Sequence, residues 1–187
     1  SGASKKISSN GFSPSISGNY AVWYSNNNGI VLYDISLDKT TEVTTHGIIG
    51  TPGGFVRPVV YGDKIVYEAD ANGNPADLYL YDISSDQSSK IGVGLMPRIY
   101  GDYVIWSGFG NADPITLYQI SSKTQKVIGS GQAGQIYGDA VVYWSAVDNE
   151  VHLYAISSGK EVTGFGTGGV FTGPDIYEKT LVWADNR

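Results

Sequence analysis

Alternating apolar and polar positions dominate the chain, and one alternating unit occurs five times. The clearest copy, Pro97 to Trp106 (PRIYGDYVIW), has an apolar lead, a Gly-Asp pair and an alternating run that ends on an aromatic residue. Gly followed by Asn or Asp favours a tight turn between antiparallel strands, so each copy predicts a β-hairpin. The other copies begin, at intervals of 44, 39, 37 and 40 residues, at Pro14, Pro58, Gly134 and Pro174.

A second alternating unit, Leu-Tyr-x-Ile, follows each of the first four hairpins and begins at Leu32, Leu80, Leu117 and Leu153. A polar turn and a short apolar run come after it, which gives four predicted strands per repeat, here lettered a to d. A period near 40 residues with four strands is typical of a β-propeller blade. In the last hairpin Glu178 and Lys179 replace the Gly-containing pair, which predicts a different or strained turn.

The two ends of the chain predict an incomplete blade each. Lys6-Ile7-Ser8 reads as a d strand that precedes the first hairpin, whereas the last hairpin supplies only a and b. Pairing these two pieces would close a ring and cover two free sheet edges. We therefore expect an all-β, five-bladed β-propeller in a single domain over 1–187. Its blade units would be 14–57, 58–96, 97–133 and 134–173, with a closing blade made of 174–187 and the N-terminal strand 4–9. An arc of a larger ring is the alternative.

Composition excludes several classes of function. The 187-residue chain has no cysteine, which rules out disulfides, a thiolate metal site and a cysteine nucleophile. Its net charge is −6 and its largest basic cluster is Lys5-Lys6, so nucleic acid is not an expected partner. No apolar run approaches the roughly 20 residues that a membrane span needs.

The repeat pattern P-x-I-Y-G-D-x-V-x-W, followed by N-G-N-x-x-D-L-Y-L-Y-D-I-S as in Asn72 to Ser84, resembles a known class of repeats. It is similar to the TolB-like, WD40-like β-propeller repeats of archaeal and bacterial cell-surface proteins. The resemblance covers essentially the whole chain and implies an extracellular or cell-surface location. Such propellers serve as surface, adhesion and scaffold modules without one shared chemistry.

One rim of the predicted propeller gathers its most variable loops. The connections over 44–57 and 163–173 are the longest, and the b–c loops are rich in Asn, Asp and Phe. Binding residues often lie on loops that a rigid scaffold holds, so this rim is the candidate ligand-binding surface. The alternative is a set of solvated turns with Phe side chains folded over the rim. The candidate residues are Phe55, Arg57, Asp70, Asn72, Asp77, Phe109, Asp113, Asp148 and Phe171.

Two further sets of residues come from the hairpins themselves. The a strands place non-repeating side chains toward a central channel, where Arg98 and Asp175 could pair. The aromatic residue that ends each b strand recurs in every repeat, which favours packing between blades over ligand binding. The channel set is Ser15, Arg98, Gln135 and Asp175. The inter-blade aromatic set is Trp23, Tyr67, Trp106, Tyr143 and Trp183.

The sequence offers little catalytic chemistry. A propeller glycosidase needs two facing carboxylates, and only one channel position is acidic. His46 and His152 have no second histidine or cysteine at ligand spacing, so no metal or cofactor is assigned to them. Asp148-Asn149-Glu150 and the stretch from Asp70 to Asp77 offer oxygen ligands that could hold Ca²⁺, although an EF-hand spacing is absent.

We therefore expect a non-enzymatic extracellular or cell-surface module that binds a protein or a glycan through its long-loop rim. One alternative is a structural unit of a larger surface assembly, in which the incomplete last blade accepts a strand from a neighbour and so self-assembles. The other is a carbohydrate-active enzyme of the five-bladed type, with carboxylates from the b–c loops.

Overall fold

The computed structural model describes residues 4–25, 29–44, 57–69, 76–108, 110, 112–163, 165–166 and 173–184. These residues form four antiparallel sheets of four strands and one sheet of two strands. The expected all-β propeller with four complete blades is thereby confirmed. No helix in this part of the chain is long and apolar enough to cross a membrane.

The strands follow one another in space in their chain order within every blade, which is the up-and-down pairing expected from the repeats. The first blade contains β1 (Gly11–Ser17), β2 (Tyr20–Ser25), β3 (Gly29–Asp34) and β4 (Lys39–Thr44). The second contains β5 (Val59–Tyr61), β6 (Lys64–Ala69), β7 (Asp77–Asp82) and β8 (Gln87–Val93). The third contains β9 (Leu95–Tyr100), β10 (Tyr103–Ser107), β11 (Pro114–Gln119) and β12 (Thr124–Ser130). The fourth contains β13 (Gln132–Tyr137), β14 (Ala140–Trp144), β15 (Val151–Ala155) and β16 (Lys160–Val162). The last sheet is the hairpin β17 (Asp175–Tyr177) and β18 (Thr180–Val182).

The repeated hairpin turns have the backbone that their sequence predicts. Gly62 and Gly101 have φ of 57°, and the Asp that follows each of them is not in the positive-φ region. A positive φ at the first central residue alone is typical of a type II′ turn, which matches the twist of the flanking strands. Glu178 adopts the same conformation with φ of 54°, so the last hairpin keeps the turn with a strained non-glycine residue.

The hydrophobic core lies between consecutive blades. Alternate side chains of each sheet point to the preceding blade and to the following one, as the period of a strand requires. One pair of residues recurs at the first three junctions, a b-strand residue from one blade with an a-strand residue from the next. The pairs in the three apolar clusters are Val22 with Val60, Val66 with Ile99, and Ile105 with Ile136.

A row of tyrosine rings joins the a strands near the hairpin turns. Tyr61 and Tyr100 have ring centroids 4.7 Å apart, Tyr100 and Tyr137 are 4.8 Å apart, and Tyr137 and Tyr177 are 5.0 Å apart. In the first blade Ser17 takes the equivalent position, and its hydroxyl accepts a hydrogen bond from Gly62 N. The row therefore runs through four blades and ends on the exposed ring of Tyr177.

The closing blade differs from the predicted one. Residues 4–8 form no strand, and the described part of the last hairpin has no third strand beside it. The N-terminal segment instead lies on the first blade, where the Lys5 ammonium contacts the Tyr33 ring and bonds Asp38. The equivalent contact of Lys126 with the Tyr154 ring is made by a true d strand. The segment thus has the position of a d strand, but no c strand of the described residues connects it to β18.

The first and last blades each leave one core position of the outward face exposed. Ile16 is 69% exposed, although residues at its position in the other blades are buried: Val60, Ile99, Ile136 and Ile176. Val182 is 56% exposed, although its counterparts are fully buried: Val22, Val66, Ile105 and Val142. The described residues therefore form an arc of blades whose two ends do not pack together.

Candidate functional site

The arc has two rims of different character. We call the end that carries the β2–β3, β6–β7, β10–β11 and β14–β15 loops and the connections between blades the loop rim. The opposite end, made by the tight turns at 18–19, 35–38, 62–63, 83–86, 101–102, 120–123, 138–139, 156–159 and 178–179, is the turn rim. The antiparallel pairing within each blade places these two groups of connections at opposite ends.

On the turn rim an aspartate is hydrogen-bonded to a serine in each complete blade. The Asp34 carboxylate accepts bonds from the amide and the hydroxyl of Ser36, at 2.9 and 2.8 Å. These bonds hold the pKa of Asp34 below its ordinary value. In the fourth blade the acceptor is instead the hairpin-turn residue Asp139, which accepts bonds from the amide and the hydroxyl of Ser157. These carboxylates already accept hydrogen bonds from turn residues of their own blade, so the turn rim has a similar hydrogen-bonded aspartate in each complete blade.

The described part of the loop rim contains different groups in the second, third and fourth blades. In the second blade the Asp77 carboxylate pairs with Lys90 Nζ at 2.6 Å. In the third, Asp113 Oδ2 accepts a hydrogen bond from Gly110 N at 2.6 Å. In the fourth, Asp148 contacts His152. Three of the predicted rim residues are thus held by neighbours in their own blade and are not brought together into one site.

Arg57 is the cation of the predicted rim set, and it is exposed at the loop rim. Among the described residues its guanidinium has no ion-pair partner. The other predicted rim residues lie outside the described part of the chain, namely Phe55, Asp70, Asn72, Phe109 and Phe171.

Most of the predicted channel residues bond to backbone. Ser15 Oγ accepts a hydrogen bond from Val60 N of the next blade at 3.3 Å. Gln135 Oε1 and Asp175 Oδ1 each accept a bond from the amide that follows them, at 3.2 and 2.8 Å. These side chains therefore fix the a strands and do not converge on one point.

Arg98 is partly buried between the inner strands. Its Nη1 donates to Pro97 O at 2.9 Å, and no carboxylate of the described residues lies within ion-pair distance of it. Burial and the nearby charge of Arg57 lower the pKa of the Arg98 guanidinium, while Asp175 and Glu68 act in the opposite direction. The predicted pairing of Arg98 with Asp175 is a longer-range attraction and not a salt bridge.

Glu68 is the most deeply buried carboxyl group of the described chain, at 2% exposure. Burial raises its pKa to about 7, although a hydrogen bond from Met96 N to its Oε1, at 2.8 Å, acts against this rise. Met96 has a positive φ of 53° and lies where the pairing of β9 with β10 is irregular. A bulge leaves an amide unpaired in the ladder. Glu68 thus satisfies the free amide of the bulge.

His152 lies at the centre of a polar cluster in the fourth blade and is 7% exposed. Its Nδ1 is 2.8 Å from Glu161 Oε1, and its Nε2 is 2.8 Å from Asp148 Oδ2. The Tyr143 hydroxyl also bonds Glu161, and the Tyr143 and His152 rings are 5.1 Å apart. Burial raises the pKa of Glu161. It also raises that of Asp148, but bonds from Ser145 and His152 outweigh it and lower the Asp148 pKa overall.

Metal-ligating side chains meet once in the described residues. Asp148, Glu150 and His152 can each offer one ligand atom, and these atoms lie within 4.8 Å of one another. The oxygen ligands that the sequence proposed for Ca²⁺ are therefore joined by a histidine nitrogen, which suits a transition metal better than Ca²⁺. Both nitrogens of His152 already face carboxylates within the chain, so the cluster is also satisfied as a hydrogen-bond network.

Three of the recurring b-strand aromatics, Tyr67, Trp106 and Tyr143, lie between blades. Trp23, Tyr67, Trp106 and Tyr143 are at most 5% exposed, and Trp183 on the last hairpin is 36% exposed. Trp106 and Tyr143 belong to apolar clusters that span two blades, and a side chain at Gly11 would collide with the Trp23 indole. None of these rings stands free on a rim as a ligand-stacking surface.

The importance of Glu68, Glu161 and His152 was not recognised in the sequence. The available signal for His152 was its position opposite the β16 strand, where the pairing of Tyr154 with Glu161 brings the Glu161 carboxylate near it. The signal for Glu68 was its place directly after the buried aromatic Tyr67. Both signals need the register of the strands, which composition and spacing do not supply.

No family model matches the chain, and no curated protein matches it. Solved structures do match its fold. TolB from Acinetobacter baumannii is 20% identical with a TM-score of 0.59, over 88% of this chain and 45% of that one. The structure of a nidogen/laminin complex matches at 12% identity and a TM-score of 0.56, over 80% and 60%. BamB from Moraxella catarrhalis matches at 15% and 0.56, over 92% and 57%.

This chain spans about half to three fifths of the length of these matched chains. Identities this low show the fold alone, and they agree with the repeated four-stranded sheets and the blade-to-blade core described above. The chain has a TolB-like β-propeller fold.

Proposed function

We propose that this domain is a non-enzymatic binding module of an extracellular or cell-surface protein, and that it binds a protein partner through its loop rim. The observation that carries this proposal is the contrast between the rims. On the turn rim of each complete blade an aspartate is bonded to a serine of the same blade, whereas the described loop-rim groups of the second, third and fourth blades differ from one another. A surface that does not repeat can distinguish one partner from another, and loops on a rigid scaffold are the usual place for such recognition.

Charge and exposure define the described part of this surface. Arg57 is exposed, Asp148 is 42% exposed at its side chain, and the Glu150 carboxylate has no hydrogen-bond partner among the described residues. Exposed charges at the edge of an interface contribute to association rate and to specificity more than to affinity. A glycan is the alternative ligand, because Asn, Asp and Phe are frequent in the rim loops.

The satisfied state of the carboxylates supports binding over catalysis. Asp113 and Asp148 each have a partner within their own blade, and Glu68, the carboxyl group with a pKa of about 7, is buried against Met96 N. A glycosidase needs an acid and a base on either side of an accessible bond. Among solved structures of this fold, the nidogen/laminin complex is a propeller chain with a protein partner, which supports a protein as the ligand class.

The test is a pull-down from the surface fraction of the source cells, with a glycan array in parallel. We expect wild-type domain to capture a partner, and Arg57→Glu together with Glu150→Lys to reduce the capture strongly. Lys39→Glu, at the edge of the turn rim, is the matched control and leaves it unchanged. An equal loss of capture in the loop-rim variant and in the turn-rim control, or no ligand in either assay, would count against the proposal. Hydrolysis of a polysaccharide that is lost in Asp113→Asn or Asp148→Asn would favour the enzyme instead.

A further inference from the structure

The outward faces of the first and last blades carry positions that form the contact between consecutive blades inside the chain. At the first three junctions inside the chain, a b-strand residue of one blade shares a buried apolar cluster with an a-strand residue of the next. Val182 of the last blade occupies the b-strand position of this pair, and Ile16 of the first blade occupies its a-strand position. Both side chains are apolar and exposed, and the positions that they occupy are paired with each other where two blades meet inside the chain.

The inner strands carry the same complementarity. At the first junction Ser15 and Ser17 accept hydrogen bonds from Val60 N and Gly62 N of the following blade. On the last blade the equivalent positions are Asp175 and Tyr177, and the Tyr177 ring is 67% exposed. Among the described residues, Tyr177 thus ends the tyrosine row on a ring with an aromatic neighbour on one side.

We propose that the last blade of one copy docks face to face on the first blade of a second copy, and so continues the series of blades between chains. The partner is a second copy of this chain, because the outward face of its first blade has the same repeat positions that pack against a preceding blade elsewhere in the chain. The N-terminal segment 4–8 supports this docking, since it holds a d-strand position against the first blade as Lys126 does against the fourth. The docked hairpin of one copy and the N-terminal segment of the other would then belong to the same blade, with the hairpin as its a and b strands and the segment at its d-strand position.

Such a contact is heterologous, so it produces a closed ring of chains if the rotation closes and an open fibre if it does not. Single-residue exposure of Ile16 and Val182 would in itself be ordinary for a surface. The contrast with four buried counterparts on each side makes them interface residues. This docking involves the blade faces and is independent of the loop rim and its partner.

Two measurements test the docking on the full chain. In sedimentation, we expect wild-type protein to associate as its concentration rises, and Val182→Asp to raise the dissociation constant by about 100-fold or more, because the contact would bury an unpaired charge. Val127→Asp is the matched control, since Val127 is 65% exposed on β12 and outside either face. A wild-type chain that stays monomeric at all concentrations overturns the proposal.

Cross-linking identifies the partner face. The chain has no cysteine, so introduced thiols are unique. We expect Ile16→Cys chains mixed with Val182→Cys chains to form a heterodimer with a short bis-maleimide, and Val127→Cys chains mixed with Val182→Cys chains not to. The double variant Ile16→Cys/Val182→Cys distinguishes the remaining outcome. Efficient cross-linking within one chain at high dilution means that the arc closes on itself, which contradicts docking between copies.

Discussion

Ile16 and Val182 occupy the two halves of the contact that joins consecutive blades, and each is exposed, at 69% and 56%. Inside the chain the same contact buries Val66 against Ile99 and Ile105 against Ile136. Burying an aliphatic side chain of this size contributes about 1.5–3 kcal/mol. Each internal junction therefore has a stabilising pair that the two ends of the arc lack.

Glu68 should make stability depend on pH. Its folded pKa is raised from 4.5 to about 7, so the native state binds the proton more tightly than the unfolded chain. The resulting stabilisation is complete below about pH 4.5 and is lost as the pH rises through about 7. Its size is about 3 kcal/mol, from the conversion of a pKa shift into free energy.

We expect Glu68→Gln, which keeps an oxygen acceptor for Met96 N, to remove this part of the pH dependence. The measurement is the free energy of unfolding in urea between pH 4.5 and 8, for both proteins. The two curves should diverge as the pH falls, with wild type gaining on the variant. Parallel curves would mean that Glu68 titrates as an ordinary exposed carboxyl group.

The His152 cluster should behave as a coupled unit. Replacing His152 by Gln and Asp148 by Asn in a double-mutant cycle should give an interaction energy of about 0.5–3 kcal/mol, because their side chains are in contact. The same cycle with Asp86→Asn, on the turn rim of the second blade, should give a value near zero. Unfolding free energies from urea titration supply all the terms, and equal values for the two cycles would contradict a cluster.

Tyr100 lies within the tyrosine row, with a ring neighbour on each side, whereas Tyr177 has a described ring neighbour only on the Tyr137 side. An aromatic pair contributes about 0.5–1.5 kcal/mol beyond the area it buries. We therefore expect Tyr100→Leu to destabilise the domain by about 0.5–1.5 kcal/mol more than Tyr177→Leu. Equilibrium unfolding measures both variants, and a larger loss from Tyr177→Leu would show that its ring is covered in solution.

Glu178 holds the left-handed conformation that glycine holds in the other hairpin turns. That conformation destabilises the fold by about 1–2 kcal/mol at a non-glycine residue. Glu178→Gly removes this strain, but the greater backbone freedom of glycine in the unfolded chain offsets part of the gain. We expect Glu178→Gly to slow amide exchange in β17 and β18. Gly101→Ala should speed exchange in β9 and β10. Faster exchange in Glu178→Gly would argue that the last turn has another geometry.

The repeats made most of the fold predictable. Turn residues such as Gly62 and Gly101 and the alternating strands act locally, so the sequence alone predicted four complete blades and a final hairpin. The predicted d strand at 4–9 did not form, because a d strand pairs with a c strand and the described residues place no c strand beside β18. The pattern of Lys6-Ile7-Ser8 carries no information about that partner strand. The site was less predictable. Glu68 and His152 depend on a bulge and on strand register, which only the folded backbone defines.

Native-state thiol labelling tests the arc most directly. Cysteine is placed, one variant at a time, at the equivalent a-strand positions Ile16, Val60, Ile99, Ile136 and Ile176, in a chain that has no other thiol. At a dilution where sedimentation shows the monomer, we expect the thiol at position 16 to react at close to the rate of an unfolded control. The other four should be protected. Protection at position 16 equal to that of the other four would contradict the open arc, because it would place a fifth blade junction where none is described.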